Sequence, residues 1–168
     1  MELHELTAAE AAGRIRSGDL SAADYAKALD RRREAVEPRL QALAWYDRER
    51  FLAAAARSDD AIRSARKSGA GIPPLSGIPL GVKDNMDTAG VPTRSGSRLY
   101  EKNVPSADAA ILGPLYGAGA LLFGKTVTPE LAFIDAGSTR NPWNTAHTPG
   151  GSSSGSAAGV AAGLFPLA

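Results

Sequence analysis

Around Gly69 the chain changes character, and that change constrains the fold more than any other feature. Residues 1–70 carry 25 of the 37 charged residues but only three glycines and one proline, whereas residues 71–168 hold 15 glycines and ten prolines. The first stretch therefore predicts long helices, and the second predicts short elements separated by turns. Thr7 with Glu10 matches a capping box opening a helix through about Ser17, and Ser21 with Asp24 opens a second toward Val36. Arg48 to Lys67 reads as a third helix, with Phe51, Ala55, Ile62 and Ala65 interleaved with Arg50, Arg57, Asp59 and Arg66. These helices read as a cover laid on something larger, and no chemistry is legible in them.

From Pro73 onward short apolar runs alternate with turn signals. Ile78, Leu80 and Val82 alternate with Pro79 and Gly81, a strand pattern with one apolar face and one bare face. Ala107 to Tyr116 reads as a helix closed by Gly117, and Ala120 to Phe123 as the next buried strand. Strand, helix, strand is the order of a parallel α/β unit.

Composition excludes several classes. A net charge of +1 supplies no basic footprint for nucleic acid. Absence of cysteine removes disulfides, thiolate zinc sites and a cysteine nucleophile, and fits a reducing compartment. Met1 to Gly13 carries Glu2, Glu5 and Glu10 without an apolar core, unlike a secretory signal. No apolar run approaches the ~18 residues a bilayer span requires. The expectation is a cytoplasmic protein without membrane or nucleic-acid partners.

Two features bear on chemistry. Lys83 directly follows the Ile78 to Val82 strand, and open α/β sheets place ligands at the carboxyl ends of their strands. Taken alone it reads first as a solvated surface lysine, because lysines are mostly exposed; against that, the small residues on its side of the strand leave room for a ligand or another backbone. The second feature is Pro149-Gly150-Gly151-Ser152-Ser153-Ser154-Gly155-Ser156, running into the small-residue stretch Ala157 to Gly163. It reads as a flexible linker, although linkers do not normally continue into an apolar helix. It reads also as a phosphate cradle, although it lacks the Lys-Ser ending of a P-loop. Gly151-Ser152-Ser153-Ser154-Gly155 formally satisfies G-x-S-x-G, which makes Ser153 a candidate nucleophile. That motif needs a histidine after it, and His4 and His147 both precede it. A serine hydrolase without histidine needs another base, for which a lysine with a lowered pKa is the known substitute.

Together, Gly77-Ile-Pro-Leu-Gly-Val-Lys83-Asp84-Asn85, Gly124-Lys125-Thr126 and Asn141-Pro-Trp-Asn144 with Pro149 to Ser156 resemble the amidase-signature family, over residues 70 to 168. The resemblance implies an α/β fold: an N-terminal helical segment (1–70), then the first part (71–168) of a mixed sheet with helices on both faces. It also implies a triad of lysine, cis serine and nucleophilic serine. The lysine falls on Lys83 and the cis serine on Ser152, joined to Gly151 by a cis peptide. Gly150, Gly151, Ser153 and Ser154 become supports of the loop.

The family's nucleophile lies in a Gly-Gly-Ser segment beyond the small-residue helix, and this sequence holds no such segment. The expectation is thus an N-terminal fragment of an amidase cleaving linear carboxamides through an acyl-enzyme, with no metal or cofactor and a small amide as substrate. Alone, residues 1–168 are expected to be inactive, with an open sheet edge, Ala120 to Phe123 poorly covered, and a tendency to self-associate. The alternatives are part of the amidase component of a tRNA-dependent amidotransferase, which works with partner subunits, or a non-catalytic remnant.

Overall fold

The computed structural model describes residues 2–168. Three helices dominate its first part. Helix α1 (Ala8–Ser17) starts at the Thr7/Glu10 capping box and ends at Gly18 in the left-handed conformation. Helix α2 (Ala22–Leu40) starts at Ser21, and α3 (Arg48–Ser68) starts at Asp47. Two side chains of α3 join the other two helices. The Asp59 carboxylate accepts the Ala22 and Ala23 N–H groups at 2.8 and 3.0 Å, and Arg66 donates to the Ile15 and Arg16 carbonyls. An acid on a helix N-terminus and a cation on a C-terminus both complement the helix dipole.

Helix α2 runs past Val36 and through Pro38 to Leu40. Its end is secured by Glu37, whose carbonyl accepts the Gln41 N–H and whose carboxylate accepts the Ala42 and Leu43 N–H groups. The turn that follows leads into β1 (Leu43–Tyr46), a strand that the run of apolar residues did not distinguish from a helix.

The sheet contains β1, β2 (Pro79–Lys83) and β3 (Leu121–Thr126) in the order β1-β3-β2. Strands β2 and β3 are parallel, and β1 is antiparallel to β3. Strand β3 is therefore central, and Ala120 and Phe123 are buried, contrary to the expected poor cover. The reason is packing on its faces: the Phe123 ring meets those of Tyr46, Phe51 and Phe165, and Ala120 lies in a cluster with Leu80, Val82 and Leu112. An extra residue in β3 shifts its register against β2 between the Leu80–Leu122 and Gly81–Gly124 pairs, and the strands continue with Val82 beside Lys125 and Lys83 beside Thr126.

The connection from β2 to β3 carries α4 (Leu112–Gly117), shorter than the helix expected from Ala107. Residues before Leu112 are bonded to the loop after β2 instead: Ala109 N–H donates to the Asp87 carbonyl, and Asp108 accepts the Ala89 N–H. Long-range bonding there overrides local helix propensity. Helix α5 (Ser154–Ala161) closes the chain's core.

Strand β2 is buried on both faces, so its expected bare face does not exist. Phe165 fills the space beside Gly81, where a Cβ would overlap its ring. Leu167 bridges to Leu80, and its carbonyl accepts the Gly81 N–H. One apolar cluster runs from Ile15, Tyr25, Leu29 and Phe51 through Ile78 and Phe123 to Ala158 and Phe165. The Phe51 and Phe123 rings meet edge-on at 4.9 Å, and Phe123 and Phe165 lie 5.3 Å apart. A smaller cluster of Leu80, Val82, Leu112 and Ala120 lies under α4. Among the described residues no helix is long and apolar enough to cross a membrane.

Candidate active site

The C-terminal end of β2 delivers Lys83, and the stretch before α5 delivers Ser152. Asp84 N–H donates to the Thr126 carbonyl, so the sheet ladder holds the chain one residue past Lys83. Ser152 belongs to a loop built by local polar contacts. Asn141 Oδ1 accepts the Trp143 N–H, Asn144 Oδ1 accepts the Ala146 N–H, and Asn141 N–H donates to the His147 carbonyl. The start of that loop is tied to the end of α2: Thr139 Oγ1 donates to the Gln41 carbonyl, and Arg140 N–H to that of Leu40. Gly150 has φ +87°, and the Gly151–Ser152 peptide is cis.

These two segments bring Lys83 Nζ within 2.7 Å of Ser152 Oγ, although 69 residues separate them in sequence. Burial lowers the Lys83 pKa below the ordinary lysine value. In the structure Lys83 donates to Ser152; once neutral, its lone pair accepts the serine proton instead.

The residues beside Ser152 divide their work. Ser154 is buried and donates from Oγ to the Val127 carbonyl at 3.2 Å, and the Gly155 N–H donates to the same oxygen at 3.0 Å. Gly155 packs α5 against the main chain at the end of β3, and a Cβ there would overlap the Ala42 carbonyl oxygen and the Val127 nitrogen. Ser153 precedes α5 without capping it through its side chain. It lines, with Lys83, Met86, Leu112 and Leu115, an apolar cavity of about 290 Å³. Gly150 and Gly151 are exposed in the turn ahead of Ser152. A larger cavity of about 630 Å³, bounded by Asp84, Arg94, Ser97 and Glu130, touches neither Lys83 nor Ser152. Lys83 lines the smaller one, and its contact with Ser152 stands beside that cavity.

Three polar residues near the site carried a weaker sequence signal. Thr126, beside Lys83 in the sheet, shares a 2.8 Å hydrogen bond with Ser156 of α5. Asp84 is buried, which raises its carboxyl pKa against the backbone N–H groups of Arg94 and Gly96 and the charge of Lys125. Lys125 is fully buried, and burial pulls its pKa down to about 8. The available signal was a lysine inside an otherwise apolar strand, since lysine is among the residues least often fully buried.

This geometry matches proteins of known family. The family model described as Amidase matches residues 24–168. The chain is 42% identical over 169 residues to one component of the Glutamyl-tRNA(Gln) amidotransferase of Carboxydothermus hydrogenoformans, covering 97% of this chain and 34% of that protein. It is 37% identical over 174 residues to an Acylamidase of Rhodococcus erythropolis, covering 99% and 35%. Among solved structures, peptide amidase from Stenotrophomonas maltophilia superposes with a TM-score of 0.84 at 35% identity, over 96% of this chain and 35% of that one. Fatty acid amide hydrolase superposes at 0.88 with 27% identity, over 98% and 29%. The chain thus spans about a third of the length of the curated relatives it matches. With a family model matching most of its length and a common fold shared with solved amidases, the chain belongs to the amidase family.

Proposed function

We propose that this chain supplies the base and the proton relay of an amidase, Lys83 and Ser152, and that the protein hydrolyses carboxamides through an acyl-enzyme. The observation that carries the reading is the 2.7 Å contact between Lys83 Nζ and Ser152 Oγ at the end of a parallel strand. A serine from chain beyond residue 168 is the nucleophile. As it attacks the amide carbonyl, its proton passes to Ser152 Oγ, and the Ser152 proton passes to neutral Lys83. The same relay returns a proton to the nitrogen of the tetrahedral intermediate, and ammonia or an amine departs as the C–N bond breaks. Water then gives its proton to the relay and attacks the acyl ester, which releases the carboxylate and restores the serine. Loop support falls to Gly150, Gly151, Ser153 and Ser154. Residues 1–168 by themselves hold the relay but no nucleophile, and are inactive.

Lys83→Ala in the complete protein tests the assignment. Amide turnover should fall by at least about 100-fold, the scale of a lost acid–base group, with the fold retained. Turnover at the wild-type rate would remove Lys83 from the mechanism.

A second reading is favoured by the 42% identity to an amidotransferase component. In that reading the ammonia is passed to an acyl group on tRNA with the help of partner subunits, instead of being released. The Lys83 and Ser152 chemistry is common to both. Free ammonia measured against amide consumed separates them: stoichiometric release by the isolated protein supports the amidase.

A further inference from the structure

Outside the Lys83 and Ser152 pair, the most unusual group is Lys125. Its side chain is fully buried, and its ammonium donates to three oxygens on a single loop: the Met86 carbonyl, Thr88 Oγ1 at 3.1 Å and Thr93 Oγ1 at 2.8 Å. Every ammonium hydrogen is thereby used. The three carboxylates that act on it are Asp84, Asp87 and Asp108, and none forms a direct ion pair with it among the described residues. A buried lysine holding neutral oxygens is an expensive way to fix a loop, because the ion gives up its hydration. Its three directed donors, however, gather atoms that no single apolar side chain could gather.

The loop it gathers is the one that leaves Lys83. Met86 N–H donates to the Lys83 carbonyl, and the Met86 carbonyl accepts from Lys125, so Met86 is clamped at both ends of its backbone. Farther along, Ser95 N–H donates to the Asp84 carbonyl and Arg94 N–H to the Asp84 carboxylate, closing the loop on its own first residue. Met86 also shares the wall of the 290 Å³ cavity with Lys83. We propose that Lys125 is a positioning residue for the reaction, fixing the turn after β2 so that Lys83 is held against Ser152. The proposal rests on the assignment of Lys83 as the base.

Two variants of the complete protein test it. Lys125→Met keeps the aliphatic stem and deletes the donors; the double variant Thr88→Val with Thr93→Val deletes two acceptors and keeps the lysine. The first readout is the titration of Lys83, followed by trace acetylation at a series of pH values with mass spectrometry of the peptide. It needs no turnover, so it reports on the loop even if no amide is cleaved. In both variants Lys83 should titrate at higher pH than in the wild type, because a loosened turn returns its amine to water. The second readout is kinetic: kcat should fall by about 10- to 100-fold, the scale of an ångström-level misplacement, with KM nearly unchanged. If Lys125→Met fails to fold, the threonine pair carries the test alone. An unchanged Lys83 titration in a folded variant would overturn the proposal. A shift confined to Lys125→Met would also overturn it, since the effect would then be the loss of a nearby cation and not of positioning. Wild-type protein without amide turnover would instead refute the proposed function and leave the titration result standing.

Discussion

Gly155→Ala puts the smallest possible side chain at the tightest point of the site. Its Cβ would overlap two main-chain atoms, the Ala42 oxygen and the Val127 nitrogen, neither of which can rotate away. To restore ordinary contact the start of α5 must retreat from β3 by about 1 Å. Ser152 lies three residues earlier on the same segment, with its hydroxyl 2.7 Å from Lys83. A shift of that size carries the pair beyond hydrogen-bond range, and misplacement on this scale costs roughly 100-fold in rate, or about 2.7 kcal/mol of barrier. Overpacking itself destabilises the fold by about 1–3 kcal/mol. Assay of the complete protein below its unfolding temperature isolates the first effect: kcat on a carboxamide drops about two decades while KM changes little. Gly13→Ala is the control. Gly13 lies in α1 with nothing near its missing side chain, and alanine there should raise stability by about 0.5–1 kcal/mol without altering turnover. Wild-type kcat in Gly155→Ala would show that the close approach of α5 to β3 does not set the relay distance.

Because Lys83 must be neutral to accept a proton and burial lowers its pKa, activity should rise with pH along a limb centred below the ordinary lysine value of about 10.4; a limb at or above that value would contradict the burial effect. Lys83→Arg should be inactive across that range, since guanidinium does not deprotonate, and appreciable turnover would refute general-base catalysis. Asp30 is buried and accepts from Tyr46, Arg33 and Arg48 at 2.7, 3.0 and 2.6 Å, so Asp30→Ala should destabilise the fold by about 2–4 kcal/mol in chemical denaturation. Burial raises the Asp30 carboxyl, yet those bonds outweigh it and leave the pKa below the ordinary aspartate value; its contribution is thus present above the unfolded pKa and disappears as pH falls through the folded one. Purified residues 1–168 should not be labelled by a fluorophosphonate and should self-associate through exposed Phe133, Ile134 and Trp143, so stoichiometric labelling or a monodisperse monomer would contradict this account.

What the sequence made legible was whatever short-range chemistry determines. The caps at Thr7 and Ser21 are local, and each helix begins where its cap predicts. The parallel pairing of β2 and β3 followed from the order of elements. Lys83 and Ser152, and an approach between them within hydrogen-bond reach, were legible through family resemblance; the bonds that hold their two segments were not. Strand β1 escaped because Leu43 to Tyr46 has no period of its own; it is a strand because β3 is beside it. Helix α4 was overextended for a related reason, since Asp87 takes the Ala109 N–H that a longer helix would use internally. The contacts of Lys125 were invisible because its partners, Met86, Thr88 and Thr93, are distant in sequence and individually ordinary.

Two adjacent residues of β3 and its continuation anchor both sides of the Lys83–Ser152 contact. The Thr126 carbonyl accepts the Asp84 N–H, which anchors the Lys83 side of the site. One residue on, the Val127 carbonyl accepts both the Gly155 N–H and the Ser154 hydroxyl, which anchors the Ser152 side, and the Thr126 hydroxyl adds its bond to Ser156. The exposed turn from 142 to 148 can therefore vary without disturbing these bonds, because neither anchor depends on it. Both main-chain anchors are also indifferent to the side chains at 126 and 127. What the arrangement cannot tolerate is a change of register. The extra residue in β3 after Leu122 leaves Thr126 beside Lys83. Were Phe123 paired with Gly81 instead of bulged out, Lys125 and not Thr126 would stand beside Lys83, and the face each later side chain presents would reverse, since side chains alternate along a strand. The bulge thus belongs to the site as much as the loop does.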